Sequence, residues 1–200
     1  MSLQQSSYEM ELSRPTVVIG PTSEPVTLAE AKRQLFLAES DTSQDAELTN
    51  RIQAAREQWE HDTDSCLFTR TLSVTAKQFG GREIELDTRP ITSITHIKYY
   101  DPNDVLTTFS SSKYSLNAAD GEIELDWAES WPVTSIRWDA ITITYVAGYA
   151  TVATIPAIVK QAMLLLIAYY HYGNRGDNDR PNDQRAYEAL VRRYMRAGYP

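Results

Sequence analysis

The chain has 200 residues, 42% of them hydrophobic and 23% charged, the balance of a globular protein of one or two domains. Eight glycines and nine prolines exclude a collagen-like or low-complexity chain, and a single cysteine, Cys66, excludes an internal disulfide framework or a multi-cysteine zinc module. The formal net charge is −8, from 19 basic and 27 acidic residues, which argues against wrapping nucleic acid by phosphate neutralisation.

Residues 1–24 read as an extended polar arm with Pro15, Gly20 and Pro21; only Val17, Val18 and Ile19 could make a short strand. Residues 25–65 read as a helical hairpin. Thr27 with Glu30 three residues on is a capping box, and Leu28, Ala31 and Leu35 then share a face. After the polar break 39–43, Leu48, Ile52, Ala55 and Trp59 make an apolar stripe at helical spacing.

From Leu67 the period changes to two. Leu72, Val74 and Ala76 alternate with polar residues, Ile84 and Leu86 with acidic ones, and Ile94–Tyr100 is a strand stopped by the turn Asp101-Pro102-Asn103-Asp104. Asp120-Gly121 between Tyr114–Leu116 and Glu122–Leu125 is a hairpin signal, and Ala140–Val146 closes the series. Residues 66–149 are therefore expected to form a small antiparallel β-domain.

Residues 150–173 hold a long helix that opens at Pro156 and stops at Gly173. It is apolar on nearly all sides, which implies burial against its own chain or against copies of itself. Its core, Ala162–Tyr170, is too short for the roughly 20 residues that cross a bilayer, and no stretch reads as a signal peptide. Residues 174–200 read as a polar loop, 174–183, and a short amphipathic helix, 184–196, with Tyr187, Leu190, Val191 and Tyr194 opposite Arg185, Arg192, Arg193 and Arg196. Charge is uneven: residues 1–173 carry 13 basic and 23 acidic groups, a net −10, whereas residues 174–200 carry 6 and 4, a net +2. The expected class is α+β, a helical bundle with an antiparallel β-domain inserted between its second and third helices.

Chemistry is sparse. No nucleophile elbow, phosphate loop or zinc-protease motif is present. His61, Asp64 and Cys66 gather metal-capable side chains at a helix-to-strand junction, but not as a ligand set of recognised spacing; a small metal-dependent hydrolase built on them is the remote reading. Glu83 with Glu85, and Glu122 with Glu124, each lie on one strand face, where a solvated face is the simpler reading than an acid–base pair. Twelve tyrosines and four tryptophans, Trp59, Trp127, Trp131 and Trp138, exceed what one small core needs and point to protein contacts.

The order of these segments resembles the head–tail connector (adaptor) proteins of long-tailed bacteriophages. The likeness is carried by Glu24-Pro25-Val26-Thr27-Leu28-Ala29-Glu30-Ala31-Lys32, the helix Leu48–Asp62, Thr69-Arg70-Thr71-Leu72, Pro90-Ile91-Thr92-Ser93-Ile94 with Ile97 and Tyr99-Tyr100-Asp101, Ile141–Tyr149, and Pro156-Ala157-Ile158 through Tyr169-Tyr170. It spans about residues 24–173; the stretch after the long helix is longer and more charged than the family's. The resemblance implies a structural virion protein of the head–tail neck, assembled in the host cytoplasm, with neither catalysis nor cofactor. It implies a ring of twelve copies under the portal protein that extends the DNA channel, lets genomic DNA pass unbound, and seats a stopper or tail-completion protein. Membrane plays no part. On that reading Arg185, Tyr187, Arg192, Arg193, Tyr194, Arg196 and Tyr199 are candidates for portal docking. Met163, Leu166, Tyr169, Tyr170 and Tyr172 are candidates for the ring interface, and Glu83, Glu85, Glu122 and Glu124 for an acidic channel lining. The alternative within the same neck is a stopper or tail-completion protein, which would be mainly β.

Overall fold

A computed structural model of the chain describes residues 10–21, 23–173 and 181–197. In chain order the elements are β1 (Thr16–Ile19), α1 (Leu28–Gln34), α2 (Asp45–Thr63), β2 (Arg70–Ala76), β3 (Glu83–Glu85), β4 (Ile91–Tyr100), β5 (Leu106–Phe109), β6 (Tyr114–Asn117), β7 (Glu122–Leu125), β8 (Ile141–Ala147), α3 (Ala157–Gly173) and α4 (Pro181–Ala197). The fold is α+β, as its periodicities require. The described residues divide into two compact units: those up to Gly20 with residues 69–148, and those of 21–68 with those from Tyr149 onward.

The first unit is all β. Its larger sheet has the order β1-β2-β8-β4-β5 and its smaller sheet the order β3-β7-β6, with neighbouring strands antiparallel in both. β8 is central, flanked by β2 and β4, and five of its seven residues are buried. β2 shows the half-buried alternation, with Leu72, Val74 and Ala76 inward. In the smaller sheet Ile84 of β3 faces Ile123 of β7, both buried. Gly121 makes the β6–β7 turn at φ +71°. The short strand that Val17–Ile19 allowed within the extended arm forms as Thr16–Ile19 and joins the sheet, because β2 offers it an outer edge in the register Thr16↔Ser73 and Val17↔Leu72. The β-domain is also two sheets, and β5, which the sequence reading passed over, pairs with β4 from Ile97↔Phe109 to Tyr100↔Leu106.

The second unit is helical. Thr27 caps α1 with the expected capping box, and the buried Lys32 holds the α1–α2 loop through Asp45 at 2.6 Å and the carbonyls of Glu39 and Asp41. Leu48, Ile52, Ala55 and Trp59 of α2 are all buried, together with Val159, Ala162, Met163, Leu166 and Ile167 of α3. The buried Arg56 is offset by Glu24 at 2.9 Å and Glu60 at 2.8 Å, as a charge in that position must be. α4 starts at Pro181, so residues 181–183 are helix and not loop; a proline suits a first helical turn, where its missing N–H is not needed. Residues 174–180 of the expected loop lie outside the described residues.

Candidate functional site

The metal-capable stretch at the end of α2 does not converge. Asp64 takes a left-handed conformation (φ 48°) and caps the helix by donating its N–H to the Glu60 carbonyl. His61 and Asp64 are exposed, whereas Cys66 is buried and its thiol donates to the Phe68 carbonyl at 3.1 Å. Among the described residues no three His, Cys, Asp or Glu side chains come together as a metal-ion ligand set.

The four glutamates of the small sheet do come together. β3 and β7 run antiparallel with Glu83 opposite Glu124 and Glu85 opposite Glu122, so two like-charge pairs share one face. Directly opposed like charges disfavour a strand pair, so the buried Ile84–Ile123 pair on the other face must hold the two strands together against them. Arg89 partly offsets Glu85 at 3.1 Å. The groove beside this face, about 350 Å³, is lined by Met10, Leu12, Glu83, Glu85, Asp87 and Glu122 among others.

The candidates on α3 and α4 split. α3 is covered by α2 and α4, and that burial takes Met163 and Leu166 into the chain's own core, which corrects their reading as ring-interface residues. Tyr187 and Tyr194 are corrected in the same way. They are 4% and 3% exposed, set edge-on to Trp59 at centroid distances of 6.2 and 5.0 Å, and Tyr187 donates its hydroxyl to Asp62 at 2.7 Å. Burial, and then the Asp62 carboxylate, push the Tyr187 hydroxyl well above its ordinary pKa. Arg185, Arg192 and Arg193 stay exposed on the opposite side of α4. The Arg196 side chain and Tyr199 lie outside the described residues. Tyr169, Tyr170 and Tyr172 are half-buried; Tyr172 donates to the Leu35 carbonyl at 3.3 Å, and Tyr169 and Tyr170 line a groove of about 350 Å³ with Gln58, Asp62 and Gln184.

One surface carries three of the four tryptophans, Trp127, Trp131 and Trp138, and no local motif announces it. It is the connection from β7 to β8. Trp131 is tied in: it stacks on Phe79 (4.6 Å, 1°) and donates its indole N–H to the Gly81 carbonyl at 2.8 Å. Trp127 is 94% exposed, Trp138 71% exposed, and Val133 and Ile136 stand in solvent with them. The cause is a polar clamp. Arg137 lies 3.7 Å over the Tyr100 ring and donates to Asp139 at 2.6 Å and Asp104 at 3.0 Å; Ser135 donates its N–H to the Tyr100 carbonyl at 2.9 Å. The hydrogen bonds to Asp139 hold Arg137 charged and keep the Asp139 carboxyl below the usual carboxylate range. With Ser135, Arg137 and Asp139 turned to the sheet, Ile136 and Trp138 between them are turned out. Apolar side chains exposed on a hydrogen-bonded support are of the kind that protein contacts use.

No protein-family model matches the chain, and no curated protein matches it in sequence. Solved structures do share its fold. A chain of the virion of the native gene transfer agent (GTA) particle superposes with a TM-score of 0.72 at 20% identity, over 91% of this chain and 95% of that one. A chain from the neck of the empty GTA particle, computed with C6 symmetry, gives 0.67 at 22% identity over 80% and 84%. One from the neck of the native particle, computed with C12 symmetry, gives 0.64 at 22% identity over 80% and 84%.

Proposed function

We propose that this chain is a structural protein of a phage-like particle, a head–tail adaptor whose copies form a ring in the neck. The observation that carries the reading is the near full-length fold match: 91% of the chain superposes on a chain of a GTA virion, and two further matches are chains of GTA necks computed with C6 and C12 symmetry. The motif order in the sequence supports it, and the four helices favour an adaptor over a mainly β stopper.

On this reading no reaction is catalysed; the chain works by shape and charge. The ring has twelve copies, lies under the portal, and extends the DNA channel towards a stopper or tail-completion protein. The opposed glutamates Glu83, Glu85, Glu122 and Glu124 line the channel and repel phosphate, so DNA slides without sticking. The exposed guanidinium row of α4, Arg185, Arg192 and Arg193, docks on an acidic surface of the portal, and Tyr169, Tyr170 and Tyr172 lie at the edge of the contact between copies.

The test is the mass of the purified chain alone and mixed with its portal, by light scattering with negative-stain imaging. Rings are expected, alone or on the portal. The double variant Arg192→Glu, Arg193→Glu should weaken portal binding at least tenfold while its circular dichroism stays that of the wild type. A wild-type chain that stays monomeric and ignores the portal would remove the reading.

A further inference from the structure

Between α2, α3 and α4 of the helical unit runs a groove of about 350 Å³, lined by Asp62 of α2, Tyr169 and Tyr170 of α3 and Glu188 of α4 among others. The two tyrosine rings are tilted at 54° with centroids 5.9 Å apart, a corner rather than a flat wall. Asp62 is half-buried and held in place: Gln58 donates to its Oδ1 at 2.8 Å from one turn back, and Tyr187 to its Oδ2 at 2.7 Å. Glu188 Oε1 accepts from Gln184 at 3.3 Å. All three donors are neutral. Among the described residues neither carboxylate pairs with a cation, and no Lys, Arg or His lines the groove. One donor to an oxygen leaves it a further lone pair to accept with. Burial, and then the Asp62 charge, push the Tyr170 hydroxyl above its ordinary pKa, so that charge is felt at the tyrosines. A fixed negative charge answered only by neutral dipoles, beside aromatic faces, suits a cation.

We infer that this groove binds an arginine side chain of a partner protein, its guanidinium stacked on the Tyr169–Tyr170 corner and donating to Asp62 and Glu188. The β unit holds the same set of side chains with an arginine of its own. There Arg137 lies 3.7 Å over the Tyr100 ring while it donates to Asp139 at 2.6 Å and Asp104 at 3.0 Å. One tyrosine face and two carboxylates are thus satisfied by one guanidinium. A lysine fits less well, because an ammonium is a strongly hydrated point charge, whereas the guanidinium plane stacks on a ring and its edge donates to carboxylates at the same time. Phosphate and other anions are repelled by the two carboxylates. The inference deepens the reading of Tyr169 and Tyr170 as contact residues and rests on it only for the partner's being a protein.

The experiment titrates the full chain with N-acetylarginine amide, whose only charge is the guanidinium, and follows the probe by saturation-transfer NMR. The controls are the matching citrulline amide, neutral and of nearly the same shape, and the matching lysine amide. The wild type is expected to bind the arginine probe saturably and the citrulline probe not at all. Asp62→Asn keeps an acceptor for Gln58 and Tyr187 and should weaken binding about tenfold, the scale of one hydrogen bond to a charged group. Tyr170→Leu should weaken it as well. Glu188 is exposed, so Glu188→Gln keeps the wild-type circular dichroism and carries the test if either of the others does not fold. No saturable binding, equal binding of the citrulline probe, or wild-type affinity in the folded variants would overturn the site. A lysine probe that binds as tightly as the arginine probe would overturn the choice of a guanidinium. None of these outcomes bears on whether copies form a ring, which the mass measurement decides separately.

Discussion

Thr27 and Glu30 close the first turn of α1 on each other. The Glu30 carboxylate accepts from the Thr27 N–H at 2.7 Å and from its hydroxyl at 2.8 Å, and the Glu30 N–H donates to the same hydroxyl at 3.2 Å. The first of these bonds is the main reason that Glu30 titrates below its ordinary value. A carboxyl with a depressed folded pKa stabilises the fold above its unfolded pKa, about 4.3, and loses that contribution as pH falls through the folded value. Glu30→Gln should therefore melt below the wild type at pH 7, with the gap closing near pH 3; an equal gap at both pH values would show that charge is not the cause. This box was legible because it needs only residues three apart. Tyr187 and Tyr194 were legible by halves: their spacing puts them on one face of α4, but what covers that face is Trp59 of α2, and no local pattern records a partner so distant in sequence.

At the scale of elements, turns with their own chemistry could be read directly and connections held by distant side chains could not. The β6–β7 hairpin shows the first case. Gly121 sits at φ +71°, and a Cβ there would come within 3.1 Å of the Leu86 carbonyl and of Arg89 Nε. Gly121→Ala should cost about 1–2 kcal/mol from the left-handed conformation alone, more if the backbone contact cannot relax, and a chemical denaturation series would read it as a lower midpoint at unchanged slope. The β7–β8 connection shows the second case. Its alternation of polar and apolar residues from Ser135 to Asp139 looks like a half-buried strand with the apolar side in. The structure has it the other way out, because Arg137 finds Tyr100 to stack on and Asp104 to bind, a preference set by the β4–β5 turn and invisible in the segment itself. β5 was missed for a simpler reason: Leu106-Thr107-Thr108-Phe109 places its apolar residues three apart, so no period of two shows.

For the whole molecule, the sequence's change of period near Leu67 and its return to helix near Pro156 mark two of the places where the chain passes between units, at 68/69 and 148/149. The third passage, at 20/21, follows a strand too short to read with any force. Closing the helical unit takes elements from both ends of the sequence: the Trp59 pocket is completed by Tyr187 and Tyr194. A chain cut before Pro181 should leave Trp59 open, bind an apolar dye that the full chain excludes, and melt with lower cooperativity; a truncated chain that melts like the full one would show α4 to be dispensable to the core.

Because the N-terminal strand belongs with the sheet while the helical hairpin comes between them, neither unit is a continuous stretch of gene. A recombination that swapped the segment coding for residues 69–148 would carry off seven strands and leave β1 behind with the helices. The incoming sheet would then have to accept a strand it did not evolve with. β1 makes that easy: all four of its side chains face solvent, and what fastens it is chiefly the backbone ladder to β2, which any strand offers. Where side chains demand so little, inheritance can be mixed, and a sheet from one lineage can be completed by an edge from another.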